Sequence, residues 1–449
     1  MRESTVRYLA TTVVAALAVT ATPAAAAVAA PSVPSKVAAD DPFYTYDGGK
    51  PLSSYEPGTV LKKRTLTYHI EGIPTPVKAV QLLYRTADAQ GRPTANVTTV
   101  VRSLRGESSM AVSYQSYYDS LDPADGPSRA VAGDVSLGGV MANSENLFLV
   151  PLLLQGYNVV IPDTEGQTAD FAAGPEYAAN TLDSIRAATR SSADTGMNAD
   201  TRVGLLGYSG GSIATGWAAA LAPSYAPDVN ERLVGFAEGG LLVDPAHNLT
   251  YVDGSLLWSG VIPMAIIGAG RAYRIDLKPY LSSYGLEVYN RLEEHGSLLD
   301  ALGHYPGLTW KKMMKPQYAD PNSVLPFVEA VNKMNLGSAA TPTVPGFIAQ
   351  GGEGVTEGTF SNPAGIGSGD GVMVAGDVRA LARQYCSTGN ESIKYQQYNL
   401  LSHVPTAVAW ASGELGWLSD RFAGRTAPSD CGHIPAGNSL EPQKPASTS

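Results

Sequence analysis

The sequence predicts an α/β fold with a mostly parallel central sheet, interrupted by a helical insertion. Three observations carry that reading. Strand and helix patterns alternate from about residue 145, and strands joined by helical crossovers pair in parallel and are buried on both faces. The alternation breaks at about Leu241 and resumes at Gly346, and 241–343 between them reads as mostly helical segments, such as 279–292 and 324–334. A sharp Gly-x-Ser-x-Gly turn also sits between an apolar strand and an Ala-rich helix.

The elements follow in order. Residues 66–70, 78–85 and 98–101 are β-branched or aromatic and bounded by Gly and Pro, as strands are. Residues 147–155 form a helix candidate and 156–162 a strand. Residues 177–190 carry apolar side chains at helical spacing. Residues 202–207 are a short apolar strand, and 212–222 an Ala-rich helix stopped by Pro223. After the insertion come a strand at 346–350, a helix at 377–386, a strand at 393–398 and a helix at 404–422. The organisation expected is a signal segment at 1–30, a first core part at 31–240, a helical cap or lid at 241–343, a second core part at 344–435 and a disordered Pro/Ser-rich tail at 436–449.

Of the 449 residues, 44% are hydrophobic and 16% charged, which suits a large buried core. The formal charge is −10 and no basic run occurs, which argues against a nucleic-acid partner and against charge-driven binding to anionic lipid. Arg2 and Arg7 precede an apolar run at 8–21 and then small residues, the order of a secretory signal peptide. The next most apolar stretch, 256–270, contains Ser259, Gly260 and Pro263, so no transmembrane segment is expected after signal removal. In an exported chain the two cysteines, Cys386 and Cys431, fit one disulfide.

The sharpest chemical signal is Gly207-Tyr208-Ser209-Gly210-Gly211. The turn is tight, so glycines are needed at its flanks, and it aims the Ser209 hydroxyl into the crevice at the strand ends. The Gly210 N–H, at the helix N-terminus, points to where negative charge would form. A serine hydroxyl needs a base to take its proton, and in this arrangement the chain order is Ser, then acid, then His. His403 lies just after the 393–398 strand at a helix start and is the favoured base; His433 lies in the expected stapled tail. The acid belongs after the 346–350 strand. Its candidates are Glu353, Glu357, Asp370 and Asp377, with Asp370 favoured, Glu353 next, and Asp377 placed as a helix N-cap. The glycine-rich 365–371 fits neither phosphate-loop spacing. No His-Glu-x-x-His or paired Cys-x-x-Cys occurs, so neither metal nor cofactor is indicated.

With these residues in place the chain resembles the secretory lipase family, α/β-hydrolases similar to fungal lipase A. The likeness runs from about residue 42 to 435. It rests on Tyr114-Gln115-Ser116-Tyr117-Tyr118-Asp119, on Pro162-Asp163-Thr164-Glu165-Gly166, on the elbow followed by Ala214-Thr215-Gly216-Trp217-Ala218, and on His403 with Trp417-Leu418-Ser419-Asp420-Arg421-Phe422. The resemblance implies an α/β-hydrolase fold with Ser209 as nucleophile, Asp370 as acid, His403 as base and an oxyanion hole from Asp119 and Gly210. A carboxylate repels an oxyanion, so Asp119 would have to donate through its backbone N–H or a protonated side chain. The family also implies that the insertion caps an acyl-binding tunnel. The apolar stretch at 256–267 is expected to line that tunnel or touch lipid, with packing inside the insertion as the alternative.

The activity implied is that of a secreted carboxylic ester hydrolase, first of all a triacylglycerol lipase working through an acyl-enzyme on lipid esters at a lipid–water interface. An acyltransferase on the same triad and a non-catalytic binding module are the alternatives. One departure from the family stands out: its acid follows the strand directly, whereas here 351–369 intervenes.

Overall fold

The computed structural model describes residues 41–446. The expected signal segment at 1–30 lies outside the described residues. Among the described residues nine strands form one sheet: β1 (Val60–Ile70), β2 (Ile73–Ala87), β3 (Pro93–Val101), β4 (Met110–Gln115), β5 (Asn158–Pro162), β6 (Arg202–Tyr208), β7 (Leu233–Gly239), β8 (Gly346–Gly351) and β9 (Ile393–Tyr398), in the order β1-β2-β3-β5-β4-β6-β7-β8-β9. β1, β2 and β3 pair antiparallel, and β3 pairs antiparallel with β5. The turn between β1 and β2 is Glu71-Gly72, both at positive φ (49° and 74°), which matches the twist of a two-residue hairpin. From β5 across to β9 every pair is parallel.

The strand order reverses at β4: the chain leaves β4 to one side for β5, then returns to the other side for β6. Crossovers leave on opposite faces there, which opens a crevice at the carboxyl ends of β4 and β6. Those ends carry the segments of Asp119 and Ser209.

Alternation along the strands supplies two cores. In β6, Val203 and Leu205 enter one apolar cluster, while Leu206 and Tyr208 enter the other. The helices of eight or more residues are α1 (Val140–Gln155), α2 (Gly174–Arg190), α3 (Gly210–Tyr225), α4 (Pro245–Val252), α5 (Val261–Tyr273), α6 (Ser283–Leu292), α7 (Leu325–Lys333), α8 (Ala375–Ser387), α9 (His403–Ala411) and α10 (Glu414–Phe422). α2, α3 and α8 contribute to the first cluster, with α4 to α7 of the insertion continuous with it. α1, α9 and α10 contribute to the second.

The structure departs from the sequence reading in several places. α3 runs past Pro223 to Tyr225. The helix expected over 404–422 is two helices, broken at Ser412-Gly413, where the Gly413 N–H turns back to the Trp410 carbonyl; glycine is a poor helix former and tolerates the break. The tail expected to be disordered from 436 is held as far as 446. Asn438 Nδ2 donates to the Ile366 carbonyl (2.8 Å) and to Asp377 Oδ1 (2.6 Å). Leu440 packs against the first core, and the Ala446 N–H reaches the Asn322 carbonyl (2.8 Å). Composition alone missed these asparagine and leucine anchors. Cys386 and Cys431 form a disulfide that ties the last turn of α8 to this C-terminal segment.

Candidate active site

Ser209 sits between β6 and α3 with φ 52° and ψ −121°. Such a conformation costs a non-glycine residue roughly 1–3 kcal/mol, and the surroundings must enforce it. Two glycines make the turn possible. A Cβ on Gly207 would lie 2.3 Å from the Gly211 carbonyl oxygen, and one on Gly211 would lie 2.0 Å from the Gln115 carbonyl oxygen. The Ser209 N–H donates to the Gly239 carbonyl (2.9 Å), which fixes the turn to β7.

His403 is the first residue of α9 and is buried. Its Nε2 lies 2.7 Å from Ser209 Oγ and its Nδ1 2.8 Å from Asp370 Oδ2. The Tyr208 hydroxyl donates to the His403 carbonyl (2.6 Å), and the His403 N–H donates to the Asp370 carbonyl (2.7 Å). The imidazole is therefore held by its backbone as well as its ring. Burial alone would lower its pKa, but Asp370 first, then Glu357 and Asp119, outweigh it and hold the group above the ordinary histidine range.

Asp370 returns to the end of β8 despite the long excursion before it. A Cβ on Gly351, the last residue of β8, would touch the Asp370 Cβ at 2.7 Å. Asp370 Oδ1 accepts from the N–H groups of Val372 (3.1 Å) and Met373 (2.7 Å), and Oδ2 also accepts from Gln350 Nε2 (2.8 Å). The extra segment loops out and closes on itself, leaving the carboxylate at the strand end.

The remaining candidates are engaged elsewhere. Glu353 closes a local turn on Val355 and Thr356. Asp377 is not the N-cap expected of it, since α8 starts at Ala375 with Val374 at the cap; it lies in the first turn and pairs with His247 (2.9 Å). Glu357 accepts from Trp258 and from Val404. His433 lines a separate surface pocket with Arg379, Tyr395 and Asp430.

Asp119 follows β4 at φ 40° with its side chain buried. A Cβ on Gly210 would lie 1.8 Å from Asp119 Oδ1, so the carboxyl rests against the first turn of α3. Burial pushes its pKa up to about 7, although the nearby His403 opposes this. Glu165 is also fully buried close by. It accepts from the Ser120 N–H (3.2 Å) and the Tyr177 hydroxyl (3.0 Å), and burial, with Asp119 next, drives its pKa well above the usual range. Burial disfavours the charged form of both carboxyl groups, and a neutral one can donate an O–H. Reasoning on single residues did not single out Glu165 for a role; its burial beside Asp119 has no local signature.

Ser209, Gly210 and Asp119 open into an apolar cavity roofed by the insertion, with Ile213, Leu249, Trp258, Ile266 and Phe327 among its walls. The Leu298 N–H of the insertion donates to the Asp119 carbonyl (2.8 Å), fixing the roof to the floor. An activated hydroxyl, a cluster of donors and an adjoining apolar slot can together attack a carbonyl whose substituent is a hydrocarbon chain. Among the described residues no cluster of metal-ligating side chains occurs, and no helix is long and apolar enough to cross a membrane.

The sheet order and the strand–serine turn–helix define an α/β-hydrolase. Comparison with known proteins narrows this. The family model for secretory lipases matches residues 132–430. Candida albicans "Lipase 5" is 31% identical over 420 residues, covering 91% of this chain and 86% of the relative. A Mycobacterium tuberculosis protein named "Probable inactive lipase" is 31% identical over 398 residues, covering 86% and 83%. The closed-state structure of Candida antarctica lipase A superposes with a TM-score of 0.77 at 25% identity, covering 91% of each chain. The chain belongs to the secretory lipase family and is a hydrolase of the lipase and esterase class.

Proposed function

We propose that this chain is an extracellular carboxylic ester hydrolase, a triacylglycerol lipase first of all, working through Ser209, His403 and Asp370. The observation that carries the reading is the unbroken line from Ser209 Oγ to His403 Nε2 (2.7 Å) and from His403 Nδ1 to Asp370 Oδ2 (2.8 Å), at the mouth of an apolar cavity.

The acyl chain of the ester lies in the cavity, and its carbonyl sits over Ser209. His403 takes the hydroxyl proton as Oγ attacks, and Asp370 holds the imidazole in the right tautomer and stabilises its cation. The tetrahedral oxyanion receives the Gly210 N–H and the neutral form of Asp119. His403 then protonates the leaving alcohol. Water, deprotonated by the same imidazole, attacks the acyl-enzyme and releases the fatty acid. A relative bears the name "Probable inactive lipase", so the reading for this chain rests on its own three groups standing at bonding distance.

Ser209→Ala is expected to lower kcat on a soluble p-nitrophenyl ester by roughly 10⁴–10⁶-fold while the circular dichroism spectrum and melting temperature hold. Ester turnover near the wild-type rate would reject the assignment.

A further inference from the structure

The segment between β8 and Asp370, 352–369, carries a carboxylate that the mechanism above leaves unused. Glu357 Oε2 accepts the indole N–H of Trp258 (2.8 Å), in the insertion, and Oε1 accepts the backbone N–H of Val404 (2.9 Å), one residue beyond His403. The Trp258 ring stands edge-on to the His403 imidazole, with centroids 5.2 Å apart and planes at 81°. Two further ties lace the same segments together: the Leu256 N–H donates to the Gly358 carbonyl (3.0 Å), and Ser255 Oγ bonds Thr359 Oγ1 (2.8 Å). The backbone leaves room for this junction. Gly371 has φ 121°, and a Cβ there would lie 3.0 Å from Glu357 Oε2 and 3.1 Å from Trp258 Nε1.

Resting on the triad reading, we propose that Glu357 is a positioning residue: a clasp that joins the insertion to the N-terminus of α9 and sets Trp258 against the catalytic imidazole. One carboxylate serves two N–H donors from two distant segments. It holds the start of α9, so the imidazole stays in line with Ser209, and it holds the indole as a wall that keeps water from that side of the ring. Its negative charge also favours the imidazolium formed when His403 takes the serine proton. The ionisable side chains acting on the imidazole are Asp370 from the segment before α8, Glu357 from 352–369 and Asp119 from the segment after β4. Ser209, Tyr208 and Trp258 complete the shell without charge.

The test uses the full mature chain, a soluble p-nitrophenyl ester and pH profiles of kcat/KM for Glu357→Gln, Trp258→Phe and the double variant. A glutamine offers one acceptor oxygen and no charge, so it loses one tie and the field. Glu357→Gln should lower kcat about tenfold with KM changed less than about threefold. It should also move the acid limb down by about half a pH unit, because a neutral neighbour no longer supports the protonated ring. Trp258→Phe keeps the charge and the ring edge but loses the indole tie. It should lower kcat several-fold and leave the acid limb in place. In the double variant the kcat loss should be smaller than the product of the single losses, since both singles break one tie. A melting temperature that falls while kcat and the acid limb of Glu357→Gln stay at wild-type values would overturn the clasp. Ser209→Ala, run alongside, separates the two claims. If it turns over ester, the triad reading fails; if it is dead and the Glu357 profile is unmoved, the clasp alone fails.

Discussion

Asp119 shows how far a single residue can depart from what its type suggests. A carboxylate next to a developing oxyanion would oppose the reaction, yet burial favours its neutral form up to about pH 7 against the pull of the nearby His403. The sign follows directly. In the oxyanion role proposed for it, Asp119 offers an O–H donor below that pH and loses it on ionising above. Asp119→Asn keeps a donor that does not titrate, so kcat should stay within about tenfold of wild type and the decline with a midpoint near 7 should disappear, as read from a pH–rate profile. Asp119→Ala should cost about a hundredfold; full activity in that variant would leave the backbone N–H as the donor. Ser209, Gly210 and His403 could be picked from the chain because a nucleophile turn and the order of the groups are local or ordinal signals. Asp370 needed a choice among four acids, since the sequence does not say that a long excursion closes back on its strand. Asp119 stood out only through the family resemblance. Glu357 was weighed only as a candidate for that acid, because its two donors come from segments about a hundred and about fifty residues away.

At the scale of elements, the strand–turn–helix from β6 to α3 is where the chain tolerates least. Gly207 lies against the backbone of Gly211, which no rotamer change can move aside. Gly207→Ala should therefore destabilise the fold by about 3 kcal/mol or more, seen as a lower urea midpoint with an unchanged slope. A loss under about 1 kcal/mol would mean that the turn is looser than its geometry implies. The same comparison explains which elements were readable. β5 and β8 are largely apolar runs beside Gly or Pro, β9 opens on the alternation Ile-Lys-Tyr-Gln, and all three lie within a residue or two of their expected bounds. β4 is not legible as a strand, and only its last two residues fall in the Tyr114–Asp119 motif, since Met-Ala-Val-Ser-Tyr-Gln has no steady alternation and owes its place to burial between β5 and β6. β7 contains Gly235, Gly239 and the fully buried Glu238, three residues that disfavour a strand reading locally. Gly216 of α3 makes room for Glu238: a Cβ there would lie 2.8 Å from its Oε2. Tertiary packing overrides local propensity at that point.

For the whole molecule, the parallel sheet and the switch in strand order fix where a site can form, and the insertion fixes what can enter it. The alternating pattern and its interruption were legible because both are long-period features. The path of the tail was not, because its few anchors act only once α7 and α8 are in place. The central claim is that distant segments converge to make one hydroxyl, and no other, a nucleophile. It is tested most directly by treating the intact protein briefly with a fluorophosphonate and mapping the adduct by mass spectrometry. One phosphonyl group on Ser209 in the wild type is predicted, with none on Ser209→Ala and labelling slowed by orders of magnitude in His403→Ala. A folded wild-type protein that takes up no label, or carries it on another residue, would contradict the account.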